Sequence, residues 1–331
     1  MSQAIFAPLR RGLALAALAV AFAGPPQAVT AADQGFAMTP PCDDACLQSF
    51  ADRYMAALAV KSPDRLPWAP RVRASENNVM LRPGDGLWGA STGGGTNVVK
   101  FSDPQTGNVG LFALVQQRGQ PAYFGLRLKV ADGKITEVET LVNQPDPSVP
   151  PSPGGGDPKT NFHYPEMYKV LPEAQRTPRL RMIDLANGYF STLQLNDGRL
   201  LTEFTDDCRR QENGFESAGN PKFERPEGKL SCGEQFKTGT FIFDDALRDR
   251  DYMLVDEARG IVLARAYIDH SASKTVARVA DGHMVETFIK KPGSLSMLEL
   301  FHITAGKIDR IEVVHINVPY GTPSVWRRDR D

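Results

Sequence analysis

The chain carries the same ordered set of features twice, and this repetition limits its possible folds more than any single motif does. Leu47, Phe50, Tyr54 and Leu58 recur at helical spacing, and so do Met182, Leu185, Tyr189 and Leu193. Downstream of each helix comes an Arg-x-x-Glu-Asn phrase, Arg73 to Asn77 in the first copy and Arg209 to Asn213 in the second. Next come Asp103-x-x-x-Gly107-x-Val109 and Asp256-x-x-x-Gly260-x-Val262, each a turn feeding an apolar strand. Last, Leu126 to Ile135 matches Glu299 to Ile308 as strand, tight Gly-Lys turn and strand. Four matches in one order indicate an internal duplication. A helix followed by antiparallel strands is an α+β pattern in which a curved sheet wraps the helical face.

The copies are expected over residues 42–143 and 179–326, with residues 144–178 as a connecting segment. From Gln144 to about Thr160 this segment is rich in proline and glycine, which remove donors, fix φ and raise the entropic cost of order. The mixed stretch from Asn161 to Arg179 has the composition to pack across both halves.

Residues 1–32 read differently. Arg10-Arg11 precede an apolar run from Gly12 to Gly24, and the small residues Ala28 to Ala32 follow, the pattern of a cleaved secretory signal. The run is short for a membrane span and no later stretch approaches twenty apolar residues, so a periplasmic or secreted protein with no span after signal removal is expected. Cysteine usage agrees with an oxidising compartment: Cys42 with Cys46, and Cys208 with Cys232, form two local pairs suited to disulfides. A zinc site is the competing reading, but the spacing lacks paired CxxC knuckles.

Lys and Arg number 38 against 39 Asp and Glu, interspersed along the chain, which argues against a nucleic-acid face. Gly93-Gly94-Gly95 lacks the lysine of a phosphate loop, no nucleophile elbow is present, and no histidine pair has metal-ligand spacing. Any chemistry is therefore expected to need neither metal nor cofactor.

Arg53 to Leu58, Glu76-Asn77 with Gly84 to Trp88, and the hairpins at Asp132 to Ile135 and Ala305 to Ile308 resemble nuclear transport factor 2-like (NTF2-like, or SnoaL-like) domains. The resemblance covers nearly all of the chain after residue 42. It implies two tandem cone-shaped α+β domains, each with N-terminal helices packed on a curved, mainly antiparallel sheet. The closing segment Val318 to Trp326 resembles the end of a duplicated exported subgroup of uncharacterised function. Superfamily members include isomerases, dehydratases, lyases and noncatalytic modules, so the fold does not name the activity. Domain pairing within the chain, or a homodimer, is also implied.

In such a cone, acid/base groups sit among apolar side chains, where burial moves their pKa toward neutrality. Glu299 aligns with Leu126 on an otherwise apolar strand face, so it is a desolvated general base, or else a paired buried carboxylate or a bent strand end. On the strand Ile261 to His270, the inward set is either Arg265, Tyr267 and Asp269 or Ala266, Ile268 and His270, because adjacent residues face opposite ways. His302, beside Phe301, is expected on the face turned from the core. The two Arg-x-x-Glu-Asn phrases give either pocket acids, Glu76 and Glu212 with Tyr54 and Tyr189 orienting a ligand, or Arg-Glu salt bridges with Asn at a turn. Candidate catalytic residues are thus Glu299, Glu212, Tyr267, Asp269 and His270; candidate ligand contacts are Tyr189, Arg209, Arg265, Phe301, Tyr54 and Glu76. The second copy holds the polar departures. The reading that follows is an exported protein binding a hydrophobic or aromatic small molecule, with cofactor-free isomerase, dehydratase or lyase chemistry; the alternative is a noncatalytic ligand- or protein-binding module.

Overall fold

The computed structural model describes residues 42–327 except 147, 149–155, 159–162, 280, 281 and 288. The expected signal segment, residues 1–32, lies outside the described residues.

Helix α1, Asp44–Ala59, begins where the Asp43 carboxylate accepts the Cys46 N–H at 2.9 Å, meeting one of the donors a helix start leaves open. The Cys42–Cys46 disulfide braces the same turn. Strands β1 (Trp68–Glu76) and β2 (Val79–Leu81) follow, then a single turn of helix, α2 (Leu87–Ala90). Strands β3 (Ser91–Asp103), β4 (Asn108–Gln117), β5 (Gln120–Ala131) and β6 (Lys134–Asn143) complete the first sheet in the order β2-β1-β6-β5-β4-β3.

The second half repeats this plan with α3 (Arg179–Leu195), β7 (Phe204–Glu212), β8 (Phe215–Ala218), α4 (Pro226–Lys229), α5 (Cys232–Lys237), β9 (Ala246–Asp256) and β10 (Ile261–His270). A small hairpin, β11 (Val276–Arg278) with β12 (Met284–Glu286), precedes β13 (Gly293–Thr304) and β14 (Lys307–Val318). The second sheet runs β8-β7-β14-β13-β10-β9, the same order as the first. In each sheet one pair is parallel, β1 with β6 and β7 with β14; the rest are antiparallel.

The repeated phrases have physical jobs. Gly107 and Gly260 both adopt φ of +68°, and a Cβ on either would meet a backbone carbonyl oxygen, Val130 O at 2.4 Å or Ile303 O at 2.3 Å, so only glycine fits. Asp103 and Asp256, read as turn residues, also reach across the halves: Asp103 accepts the Val255 N–H at 3.0 Å, and Asp256 accepts the Ser102 N–H at 3.2 Å. Asn77 and Asn213 have positive φ at their turns. Each also clasps a backbone on the neighbouring parallel strand, Asn77 holding the N–H and C=O of Val142, and Asn213 those of His315.

The inner face of each sheet packs on its own helix, in two separate cores. The opposite faces pack on each other through Phe101, Phe112, Leu114, Leu263, Leu298 and Leu300, so the halves pair within the chain. Tyr164 and Met167, from the segment between the halves, enter this third core. A buried ionic group crosses it, with Glu139 bound by Arg127 at 3.1 Å and Arg265 at 2.8 Å. Trp326 lies against Arg127, Arg265 and Arg73 and donates to the Ser75 hydroxyl at 2.8 Å.

Candidate functional site

Inside the cone of the second half is a cavity of about 260 Å³. Its walls come from α3 (Tyr189, Leu193), β7 (Arg210, Glu212), β10 (Ile268, His270), β13 (Leu295, Met297, Glu299) and β14 (Val313, His315). Phe241, Phe243, Asp244 and Ile289 close it from the two connections that are long in this half. Residues 271–292 stand where the first half has only Arg118-Gly119 between β4 and β5.

The strand alternation is settled on β10. Ala266, Ile268 and His270 face inward, while Arg265, Tyr267 and Asp269 point to the other half or its edge. There Arg265 holds Glu139, Tyr267 donates to Asn78 at 2.6 Å, and Asp269 pairs with Arg248 at 2.7 Å. Arg265 and Tyr267 are therefore structural partners of the first half, and Asp269 of the adjoining strand β9, because period-2 geometry sends their side chains away from the cone. Asp269 and His270 do not form a pair; the partner of His270 is Asp244, with Nε2 2.8 Å from the carboxylate. His302 lies on the outer face, buried and bonded to Asp309.

The Arg-Glu bridges of one of the two accounts of the repeated phrase do not form among the described residues. Arg73 donates to the Val325 carbonyl and Arg209 pairs with Glu216 at 2.7 Å, both on the face away from the cone, because Arg and Glu three apart on a strand lie on opposite sides. The cation beside Glu212 is its inward neighbour Arg210, at 3.0 Å. Arg210 also donates to Ser217 at 3.1 Å, Gln235 at 2.8 Å and the Tyr189 hydroxyl at 3.4 Å. Gln235 lies on α5, which the Cys208–Cys232 disulfide ties to β7. The Tyr189 hydroxyl lies beside the Glu299 carboxyl and lowers its pKa. Beneath this relay Phe301 meets Tyr189 edge-on at 4.9 Å, as a floor rather than a wall. In the first half, Glu76 accepts the Leu87 N–H and Tyr54 packs on Trp88 at 5.3 Å, inside a continuous core.

The electrostatics separate the groups. Burial pushes the Glu299 carboxyl up to about 8 against the opposing pull of Arg210 and Tyr189, so it is mostly protonated at neutral pH. Burial also pushes Glu212 up, but Arg210, His315 and Ser217 overcome this and keep it below its ordinary value. Desolvation holds the His315 imidazole below its ordinary value, with Glu212 opposing. Asp244 is raised by burial against its bond to His270. Both ring nitrogens of His315 are buried and neither has a hydrogen-bond partner among the described residues.

His315, Arg210 and Asp244 were not among the sequence candidates. Two of them carry the signal that marked Glu299. His315 aligns with Val142 and Arg210 with Ala74, each a buried apolar residue in the first half. Asp244 has no such signal, since its connection has no counterpart of similar length. Among the described residues no group of three or more His, Cys, Asp or Glu is placed to hold a metal ion.

The strand order and the long helix laid across each curved sheet are those of an NTF2-like cone. The fold is NTF2-like, in two copies. Residues 175–315 match a family described as a domain of unknown function, DUF8021, which spans α3 to His315. No curated protein matches the sequence. Among solved structures the chain is similar to an NTF2-like protein of unknown function from Cytophaga hutchinsonii, at 9% identity and a TM-score of 0.26, covering 29% of this chain and 89% of that one. It is also similar to a putative ketosteroid isomerase from Kribbella flavida, at 15% identity and a TM-score of 0.26, covering 32% and 82%. The C. albicans Mtr2-Mex67 M domain complex is similar at 13% identity and a TM-score of 0.27, covering 43% and 98%. No activity follows from likenesses at this level. No helix among the described residues is long and apolar enough to cross a membrane.

Proposed function

We propose that this is an exported protein whose second half binds a neutral, largely apolar molecule bearing a carbonyl or hydroxyl group and moves protons on it without a cofactor. The observation that carries this reading is that a buried carboxyl, Glu299, and a buried imidazole without a hydrogen-bond partner, His315, line one cavity. Glu299 lies opposite Val313 on the neighbouring strand, so His315 is its diagonal neighbour, about 7–8 Å away between backbones. Both side chains line the same cavity. Export is supported by the signal-like start of the sequence and by the two disulfides.

In the step we infer, His315 takes a proton from the carbon beside a carbonyl while Glu299 gives its proton to the carbonyl oxygen, producing an enol. Return of the two protons to the same carbon and to Glu299 gives exchange; delivery to another carbon gives isomerisation. Where a β-hydroxyl is present, the Glu299 proton leaves with it as water, which is dehydration. Glu212 is positioned to stabilise the imidazolium, and Arg210, through Tyr189, the carboxylate left on Glu299. Opposite pKa shifts in one site are the usual basis for such a division of roles.

The test is deuterium exchange into 2-tetralone in D2O, followed by NMR. The protein should accelerate exchange, and Glu299→Gln and His315→Gln should each reduce the acceleration by roughly 10²–10⁴-fold with folding intact. Binding without acceleration by the unaltered protein would favour the noncatalytic module instead.

A further inference from the structure

A second, larger chamber of about 870 Å³ opens beside the inner cavity and shares Arg210, Glu212, Phe241 and Phe243 with it. Pockets that hold drug-sized ligands span roughly 300–1,000 Å³. The inner cavity alone falls short of that range, whereas the outer chamber lies well inside it. Its aromatic walls are Phe215 and Phe223, which meet edge-on at 5.3 Å, together with Phe241 and Phe243 at the neck. Outer walls come from the segment around α4 and from Val285 and Glu286 of β12, both in connections that are short in the first half.

The charges of this chamber do not select for an ion. Arg210 is matched by Glu212, Glu286 by Lys290 at 2.9 Å, and Glu227 lies 3.3 Å from His283. The remaining Lys222, Glu224 and Arg225 are exposed at the rim and of mixed sign.

We propose that the outer chamber is a second subsite of the same site, taking an uncharged aromatic body attached to the oxygenated head held near Glu299 and His315. The ligand class is then a neutral, elongated ketone or alcohol whose body runs along the packed pair Phe241 and Phe243 that lines both spaces. This rests on the proton-transfer reading for the head group, while the body subsite has its own observable. The inserted connections act as the specificity-determining part, and the strands that both halves share act as the head-binding part.

The experiment is calorimetric binding of a matched pair, 2-tetralone and 6-phenyl-2-tetralone, to the full chain. The phenyl derivative should bind at least about tenfold tighter, equivalent to roughly 1.4 kcal/mol. Phe223→Ala should bring the ratio of the two affinities close to one, and the milder Phe223→Leu should leave an intermediate ratio. Equal affinities in the unaltered protein, or a ratio unchanged by Phe223→Ala, would overturn the subsite. Binding of the longer ketone with no exchange at its α-carbon would support the subsite while sinking proton transfer. Failure of both ketones to bind would remove both readings.

Discussion

In the first half, the two oxygens of Glu76 accept the Leu87 N–H at 3.1 and 3.0 Å, and the turn they hold lays Trp88 against Tyr54. At the matching place in the second half, Glu212 faces a cavity, and Tyr189 accepts from Arg210 in place of an indole partner. One strand order thus supports a cone whose acid is tied to a turn and one whose acid faces a cavity. The difference lies in a few inner-face exchanges, Ala74 against Arg210, Leu126 against Glu299 and Val142 against His315, and in two longer connections. A buried polar group is costly unless paired, so such exchanges persist only where neighbours hold them, and Arg210 with its four partners supplies that support.

The most damaging way to erase the contrast is to give the second cone the first cone's residues. Glu299→Leu with His315→Val should abolish exchange into 2-tetralone while leaving the chain folded, as judged by its circular dichroism and melting. The reverse exchange should fail structurally: Leu126→Glu puts a carboxylate into a core whose matching position to Arg210 is Ala74, at a cost on the order of 3–5 kcal/mol in urea unfolding at neutral pH. Stability equal to the unaltered protein would mean that the first cone can open.

Titration sharpens the comparison further. The folded-state pKa of Glu299, about 8, lies above its ordinary 4.5, so its stabilising contribution is fully present below about 4.5 and is lost as pH rises through about 8. Glu299→Gln should flatten that loss, and its stability relative to the unaltered protein should increase between pH 5 and 8.5. His315 works in the other direction: its lowered pKa makes its contribution present above 6.5 and lost as pH falls through the lowered value. Replacing Cys208 and Cys232 by serine should cost about 2–4 kcal/mol and weaken 2-tetralone binding, because α5 carries Gln235 to Arg210. Smallest in stability is Tyr189→Phe, which loses the bond to Arg210 at about 1 kcal/mol; without the hydroxyl that lowers its pKa, Glu299 should titrate higher in the pH profile of exchange.

The repeated phrases were legible as a fold because each performs a local task that any copy needs: a glycine where a carbonyl crowds the chain, an asparagine clasping the adjoining strand, a hairpin turn. Glu299 was legible as an exception because its counterpart is a buried leucine, and the same comparison along the last strand marks His315 against Val142. The face of β10 was undecidable from its residues, since all ten are buried and both alternating sets mix polar with apolar side chains. A strand covered on both sides loses the contrast between wet and dry faces, and here the second cover is the other half of the chain.

By itself, the sequence determined the duplication, the α+β plan of each copy and the presence of a misplaced carboxylate in the second copy, and it favoured the two disulfides over a zinc site. These depend on spacing and on backbone requirements that act over a few residues. Only the tertiary structure decided that Arg210 rather than Arg209 meets Glu212, that Asp244 rather than Asp269 meets His270, and that two inserted connections enclose a chamber. Those pairings join residues from strands and loops far apart in the chain, brought together by how two curved sheets pack back to back, and no local pattern encodes that distance.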